Sequence, residues 1–172
     1  MNGETKKQSN TLTKEDIFKF LGTADEDDCY WLVREVALVL GYLGGTRVSE
    51  LRALTQSSVK PHPEGYQVTF FPAKQTGHVK NSKFLVKNEE NQSGVNCARI
   101  LQKYLEALTR YEVVTTPDGP FFMRGYKKGP HSKSKFTNEP IGKNTLAKIP
   151  GEIAEFLNLP ESEKYTGHCF RR

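Results

Sequence analysis

The chain has 172 residues, of which 36% are hydrophobic and 26% charged, with a formal net charge of +5 and a pI near 9.0. This composition fits one soluble globular domain with its own core, and no apolar run approaches the roughly 18–20 residues of a membrane span. The first ten residues lack the apolar stretch of a secretory signal, so we predict a protein that is not secreted and not membrane-bound, and is nuclear if eukaryotic and otherwise cytoplasmic.

The amino-terminal third predicts a tail and two helices. Residues 1–11 are polar and are expected to be a disordered tail. Thr13 is a good N-cap for a short helix that ends at Gly22. A second helix begins in the acidic group of residues 25–28, where negative charge complements the helix dipole, and ends at Gly44-Gly45. Because this second helix is apolar on most sides, we expect it at the centre of the core.

The middle of the chain predicts a short helix, a hairpin and a long helix. Thr46 is the expected cap of the short helix. The aromatic and β-branched residues 66–71 predict a strand, and residues 83–87 the returning strand after a turn with proline and glycine. Residues 95–112 have the clearest amphipathic helical pattern of the chain.

The last third predicts a short buried segment at 121–123, a long loop over 124–140, and a helix from Asn144 that Pro150 kinks or restarts. A final element begins at His168. The predicted fold class is mainly α with a small antiparallel β-sheet (α+β).

Charge is distributed unevenly along the chain. Residues 1–28 carry a net charge of −3. Residues 119–148 carry a net charge of +6, because this segment contains seven Lys and Arg residues and one acidic residue, Glu139. This basic block is the candidate nucleic-acid surface, and a solvated loop is the alternative. Its cations are Arg124, Lys127, Lys128, Lys133, Lys135, Lys143 and Lys148.

The three cysteines are widely separated and odd in number, and none has a metal-ligand spacing such as CxxC. We expect Cys29, Cys97 and Cys169 to be reduced thiols, the first two half-buried on helices. No metal site and no cofactor are predicted.

Two short stretches carry the candidate chemistry. Arg47 stands at the start of a predicted helix, and its planar guanidinium matches the oxygens of a phosphate. Glu50, one turn later, either braces that guanidinium or bonds to the backbone. His168 and Arg171 are three residues apart, so they share one face of the last helix. Each of these residues taken alone is also typical of an ordinary protein surface.

The order of these stretches resembles a known family. Gly45-Thr46-Arg47-Val48-Ser49-Glu50-Leu51 follows an apolar helix, Ala73-Lys74-Gln75-Thr76-Gly77 lies in a strand–turn–strand, and His168-Cys169-Phe170-Arg171 follows a Thr-Gly pair. In this order and spacing, residues 12–172 resemble the catalytic domain of the tyrosine recombinases, also called phage integrases.

The resemblance implies DNA recombination or integration without metal or cofactor. In that family a tyrosine attacks a DNA phosphodiester and forms a 3′-phosphotyrosine. By match, Arg47 and Arg171 would hold the non-bridging oxygens, His168 would assist proton transfer, and Lys74 would protonate the leaving 5′-oxygen. Lys80 and Lys83 remain alternatives for the active lysine.

The chain departs from the family because its seven tyrosines all precede His168, whereas the family's nucleophile, and a further His or Trp before it, follow the His-x-x-Arg motif. The family's usual amino-terminal DNA-clamping domain is also not matched. We therefore expect a domain incomplete at its carboxyl end and inactive by itself as a site-specific recombinase. A domesticated, non-catalytic DNA-binding relative is one alternative, and a helical protein-interaction domain another. Double-stranded DNA is the predicted partner, and a homo-oligomer on DNA is left open.

Overall fold

A computed structural model describes residues 10–70, 82–126 and 134–167 of the chain. The helices are α1 (Lys14–Thr23), α2 (Cys29–Gly44), α3 (Val48–Ala53), α4 (Cys97–Arg110) and α5 (Lys143–Phe156). The strands are β1 (Val59–His62), β2 (Gly65–Phe70), β3 (Ser82–Lys87), β4 (Met123–Tyr126) and β5 (Lys135–Pro140). In these ranges no helix is both long and apolar enough to cross a membrane.

Helix α2 is the centre of the core, as its apolar sequence predicts. Every residue from Leu32 to Gly41 is buried, and α2 contacts α1, α3, α4 and α5 as well as β3, β4 and β5. It begins where predicted, because the Asp28 side chain accepts a hydrogen bond from the Tyr30 N–H at 2.9 Å.

Two charged side chains fasten the amino-terminal half of α2 to α5. Arg34, whose side chain is 5% exposed, donates from Nε to Glu152 Oε2 at 2.9 Å and from Nη1 to the Tyr30 carbonyl at 2.9 Å. The Tyr30 hydroxyl donates to the same Glu152 carboxylate. Burial, with a smaller contribution from this bond, raises the pKa of Tyr30 to about 12.

The predicted hairpin is present and gains a third strand. Strands β1, β2 and β3 form an antiparallel sheet in that order, with Val59 opposite Val68 and Phe70 opposite Ser82. Strand β1 was not predicted, because its four residues include a proline and a histidine and carry little β-propensity.

The prediction of a long loop over 124–140 was wrong, because β4 and β5 form an antiparallel hairpin there, with Tyr126 opposite Lys135. Tertiary contacts outweigh the glycine- and lysine-rich composition. Phe136 is buried, and the Ser134 hydroxyl accepts a bond from the Cys29 N–H at 2.7 Å. Gly125 lies so close to α2 that a Cβ there would stand 2.4 Å from the Cys29 carbonyl oxygen.

Several helix ends differ from expectation. Arg47, not Thr46, is the N-cap residue of α3, and Gly142, not Asn144, precedes α5. Helix α5 continues through Pro150, because Leu146, Ile149 and Ile153 bury one face along its whole length. That burial offsets the roughly 3 kcal/mol that a proline costs inside a helix.

Candidate functional site

Arg47 is placed by a sharp turn at the end of α2. Gly45 has a left-handed conformation (φ 56°), which glycine adopts without strain, and its N–H bonds to the Gly41 carbonyl. The Thr46 N–H reaches the same carbonyl at 3.2 Å, so Thr46 is buried as part of this turn. Arg47, the next residue, is exposed. The turn therefore places Arg47 at the surface, on a backbone that is fixed by the bonds of Gly45 and Thr46 to the Gly41 carbonyl.

Glu50 stabilises the backbone of this turn. Its Oε1 accepts a hydrogen bond from the Arg47 N–H at 3.0 Å, which decides between the two roles that the sequence left open. Across the described ranges, no carboxylate forms an ion pair with the Arg47 guanidinium. The guanidinium keeps its donors available for an anionic ligand.

One end of the β2–β3 hairpin lies against the last turn of α2. The rings of Phe70 and Phe84 are stacked, with centroids 5.4 Å apart. A Cβ on Gly44 would stand 2.8 Å from each ring, so only glycine fits here without a shift. Because Gly44 has no side chain, the Phe70 end of the hairpin packs directly against α2 at a position three residues before Arg47.

The end of the described chain reaches the same place. A Cβ on Gly167 would lie 2.4 Å from Val48 Cγ2 and 3.7 Å from the Ala147 Cα. The residue directly before His168 thus touches the residue directly after Arg47. Three segments that are distant in sequence meet here: the Arg47 turn, the Phe70 end of the hairpin, and Gly167.

No family model matches the chain, and no curated protein does. Among solved structures, it matches the crystal structure of the XerH site-specific recombinase bound to difH substrate, a pre-cleavage complex, with a TM-score of 0.60 and 16% sequence identity. The match covers 99% of this chain and 43% of the other, so the chain spans less than half of that protein's length.

The fold is that of a tyrosine recombinase domain. The predicted α+β class with a small antiparallel sheet is thereby confirmed. At 16% identity, the tyrosine recombinase likeness shows the fold alone, so the roles of individual residues stay predictions.

The structure describes part of the predicted site of this tyrosine recombinase fold. Arg47 and Glu50 are in contact through the bond from the Arg47 N–H to the Glu50 carboxylate. Lys74, His168 and Arg171 lie outside the described residues, as do the alternative Lys80 and, in the basic block, Lys127, Lys128 and Lys133. The other alternative, Lys83, is exposed on β3 opposite Thr69.

The four described cations of the basic block have different surroundings. Arg124 is paired with Glu139 at 3.2 Å, and Lys135 is exposed at the start of β5. Lys143 faces α3, whereas Lys148 lines a cavity of about 470 Å³ whose wall also includes glutamates of α5. These cations therefore do not lie in one cavity.

Sequence reasoning missed Arg52, an exposed residue of α3 that lines a cavity with Ser49 and Lys143. The sequence pattern does not single out Arg52, because Lys143 comes close to it only through the packing of α5 on α3.

The two described cysteines are free thiols as expected, but only Cys97 is half-buried, whereas Cys29 is fully buried in the core. Burial raises the pKa of Cys97 to about 11, and burial also raises that of Cys29, so neither is a ready nucleophile. Within the described ranges, no three His, Cys, Asp or Glu side chains are grouped to hold a metal ion.

Proposed function

We propose that this chain binds double-stranded DNA and holds one backbone phosphodiester with Arg47, in a domain that serves DNA recombination. The observation that carries the proposal is the exposed Arg47 guanidinium, which has no ion pair with any described residue and lies where the Phe70 end of the hairpin and Gly167 converge. The solved structure that shares the fold is a site-specific recombinase bound to its substrate, which favours the same class of ligand.

The chemistry of Arg47 suits this role. A guanidinium is always charged, and its planar fork donates two parallel hydrogen bonds to phosphate oxygens. Because Glu50 bonds to the backbone and not to the guanidinium, it braces the turn without neutralising the Arg47 charge. A rigid donor loses little freedom when it binds, and preorganised donors stabilise charge in a phosphoryl transition state.

The remaining members of the site are assigned through the resemblance. Lys74 would supply the proton to the leaving oxygen, and Arg171 and His168 would complete the grip. Two segments support this assignment indirectly. The hairpin that leads toward Lys74 ends at Phe70 beside the Arg47 turn, and the chain that leads to His168 passes Val48 at Gly167. No nucleophile is assigned, since every tyrosine of the chain precedes His168.

The test is the affinity for a DNA duplex, measured by fluorescence anisotropy at low salt. Arg47→Ala removes a hydrogen bond between charged groups worth about 1.5–3 kcal/mol, so the Kd should rise about 10- to 100-fold. Arg47→Lys, which keeps the charge but loses the fork, should fall between the parent and Arg47→Ala.

Arg99→Ala is the matched control. Arg99 is exposed near the start of α4. This start of α4 lies at the Lys87 end of β3, because the Asn96 side chain bonds to Asn88. The Arg47 turn lies at the other end of the hairpin, where Phe70 pairs with Ser82. Its loss should change affinity by no more than the loss of one distant surface charge. Equal affinity of Arg47→Ala and Arg99→Ala would contradict the proposal.

A further inference from the structure

A cationic cavity lies on α3, the helix that follows the Arg47 turn. It has a volume of about 340 Å³ and is lined by Ser49, Arg52 and Ala53 of α3 and by Lys143 of α5. Ser49, Arg52 and Ala53 stand at positions i, i+3 and i+4, so they share one face of α3. All four residues are exposed, so the cavity is open to a large ligand.

The described residues of this cavity carry charges of one sign only. They contribute two cations and a hydroxyl group to its lining but no carboxylate. Across the part of the chain that the structure describes, neither Arg52 nor Lys143 forms an ion pair. Other surface cations do: Lys103 lies 2.6 Å from Glu26, and Lys164 lies 3.0 Å from Glu161. Two like charges that share one cavity without a counter-charge repel each other, and an anion between them relieves the repulsion.

The surroundings add to the positive potential. The first turn of α5 contains no acidic residue, and no side chain caps its N–H groups, because the N-cap is Gly142. These groups supplement the two side-chain charges, which by themselves define the anionic preference of the cavity.

Arg52 lies close enough to Arg47 for both to contact one nucleic-acid backbone. Arg52 follows Arg47 by five residues, and a rise of 1.5 Å per residue separates their Cα atoms by about 7–8 Å along the helix. Successive phosphates of one DNA strand advance by about 3.4 Å along the duplex axis. A strand that is held at Arg47 therefore has a further phosphate within reach of Arg52.

We infer that Ser49, Arg52 and Lys143 form a second phosphate subsite, which binds a DNA phosphodiester close to the one held by Arg47. Arg52 and Lys143 neutralise the phosphate, and the Ser49 hydroxyl donates to one of its oxygens. This subsite fixes the register of the backbone, so that the neighbouring phosphodiester is presented to Arg47. The inference rests on the proposed function, because it takes the ligand of the Arg47 turn to be DNA.

The test is the salt dependence of DNA affinity. Each phosphate that a protein neutralises contributes about 0.9 to the slope of log K against log salt concentration on duplex DNA. Arg52→Ala/Lys143→Ala should therefore flatten the slope by about 0.9 relative to the parent and raise the Kd about tenfold or more at low salt.

Two further variants isolate the effect of position and of charge. Lys87→Ala/Arg99→Ala removes the same net charge from exposed residues at the far end of the hairpin, and it should keep the slope of the parent. The exchange Arg52→Lys/Lys143→Arg keeps both charges and should also keep that slope. Circular dichroism on each variant checks the fold, which substitutions at exposed positions are expected to preserve.

The outcomes separate this inference from the proposed function. If Arg52→Ala/Lys143→Ala has the same salt slope and affinity as Lys87→Ala/Arg99→Ala while Arg47→Ala still weakens binding, the subsite is refuted and the proposed function stands. If the slope flattens but Arg47→Ala has no effect, the subsite is supported and the role of Arg47 is refuted. If the exchange variant loses as much slope as the double alanine variant, charge is not what the cavity contributes, and the subsite is refuted. A parent chain that does not bind DNA refutes both.

Discussion

Glu35 lies in the middle of α2 and is fully buried, and neither of its carboxylate oxygens has a hydrogen-bond partner among the described residues. Burial, together with the smaller effects of the Glu26 and Asp25 charges and against the opposing charge of Lys103, raises its pKa to about 9. Lys103 is itself engaged with Glu26 at 2.6 Å, so it does not neutralise Glu35. We therefore expect Glu35 to be protonated in the folded protein at pH 7.

The size of the effect follows from linkage. Between pH 4.5 and about 9 the folded state holds a proton that the unfolded state has released, so stability falls as pH rises. At pH 7 this destabilises the folded protein by about 3 kcal/mol, from about 1.4 kcal/mol per pH unit. Glu35→Gln has nearly the same shape as the protonated carboxyl and removes the titration.

The assay is urea unfolding of the parent and of Glu35→Gln between pH 5 and pH 8. The variant should be nearly as stable as the parent at pH 5, and its advantage should grow by about 4 kcal/mol by pH 8. Glu155→Gln, an exposed carboxylate on α5, is the control and should show no such trend. An advantage of Glu35→Gln that stays constant with pH would refute the reasoning.

Two further predictions concern the contacts that hold the site. Gly167→Ala should destabilise the protein by about 1–3 kcal/mol, because its Cβ would overlap Val48, and adding Val48→Ala should recover part of the loss in thermal unfolding. Equal melting temperatures of the parent and Gly167→Ala would contradict the contact. Glu152→Ala should cost about 3 kcal/mol, because it leaves the buried charge of Arg34 unpaired, whereas Glu155→Ala should cost little. A similar loss in both glutamate variants, measured by urea unfolding, would show that the Arg34 pair is not what holds α2 to α5.

The sequence predicts those elements whose signals are local. The apolar run of α2 and its Gly44-Gly45 end are strong patterns, and together they place Arg47 just after a turn. The β4–β5 hairpin was missed because Gly125 is specified by its contact with α2, and Phe136 by its contacts with Tyr104 and Tyr111, not by neighbours along the chain.

The same limit applies to the site. The resemblance orders the motifs along the chain, but the contact of Gly167 with Val48 joins residues more than a hundred positions apart. The cavity between Arg52 and Lys143 likewise exists only because α5 packs on α3. Periodicity carries no information on either pairing.

The most direct measurement is a nuclear magnetic resonance titration of the labelled chain with a short DNA duplex. The account predicts that the Arg47 Nε–Hε signal shifts together with the backbone amides of Val48 and Gly167, and that all three fit a single Kd. If these signals stay in place while those around Arg99 move, DNA binds elsewhere on the domain, and the convergence at Arg47 is not a phosphate site.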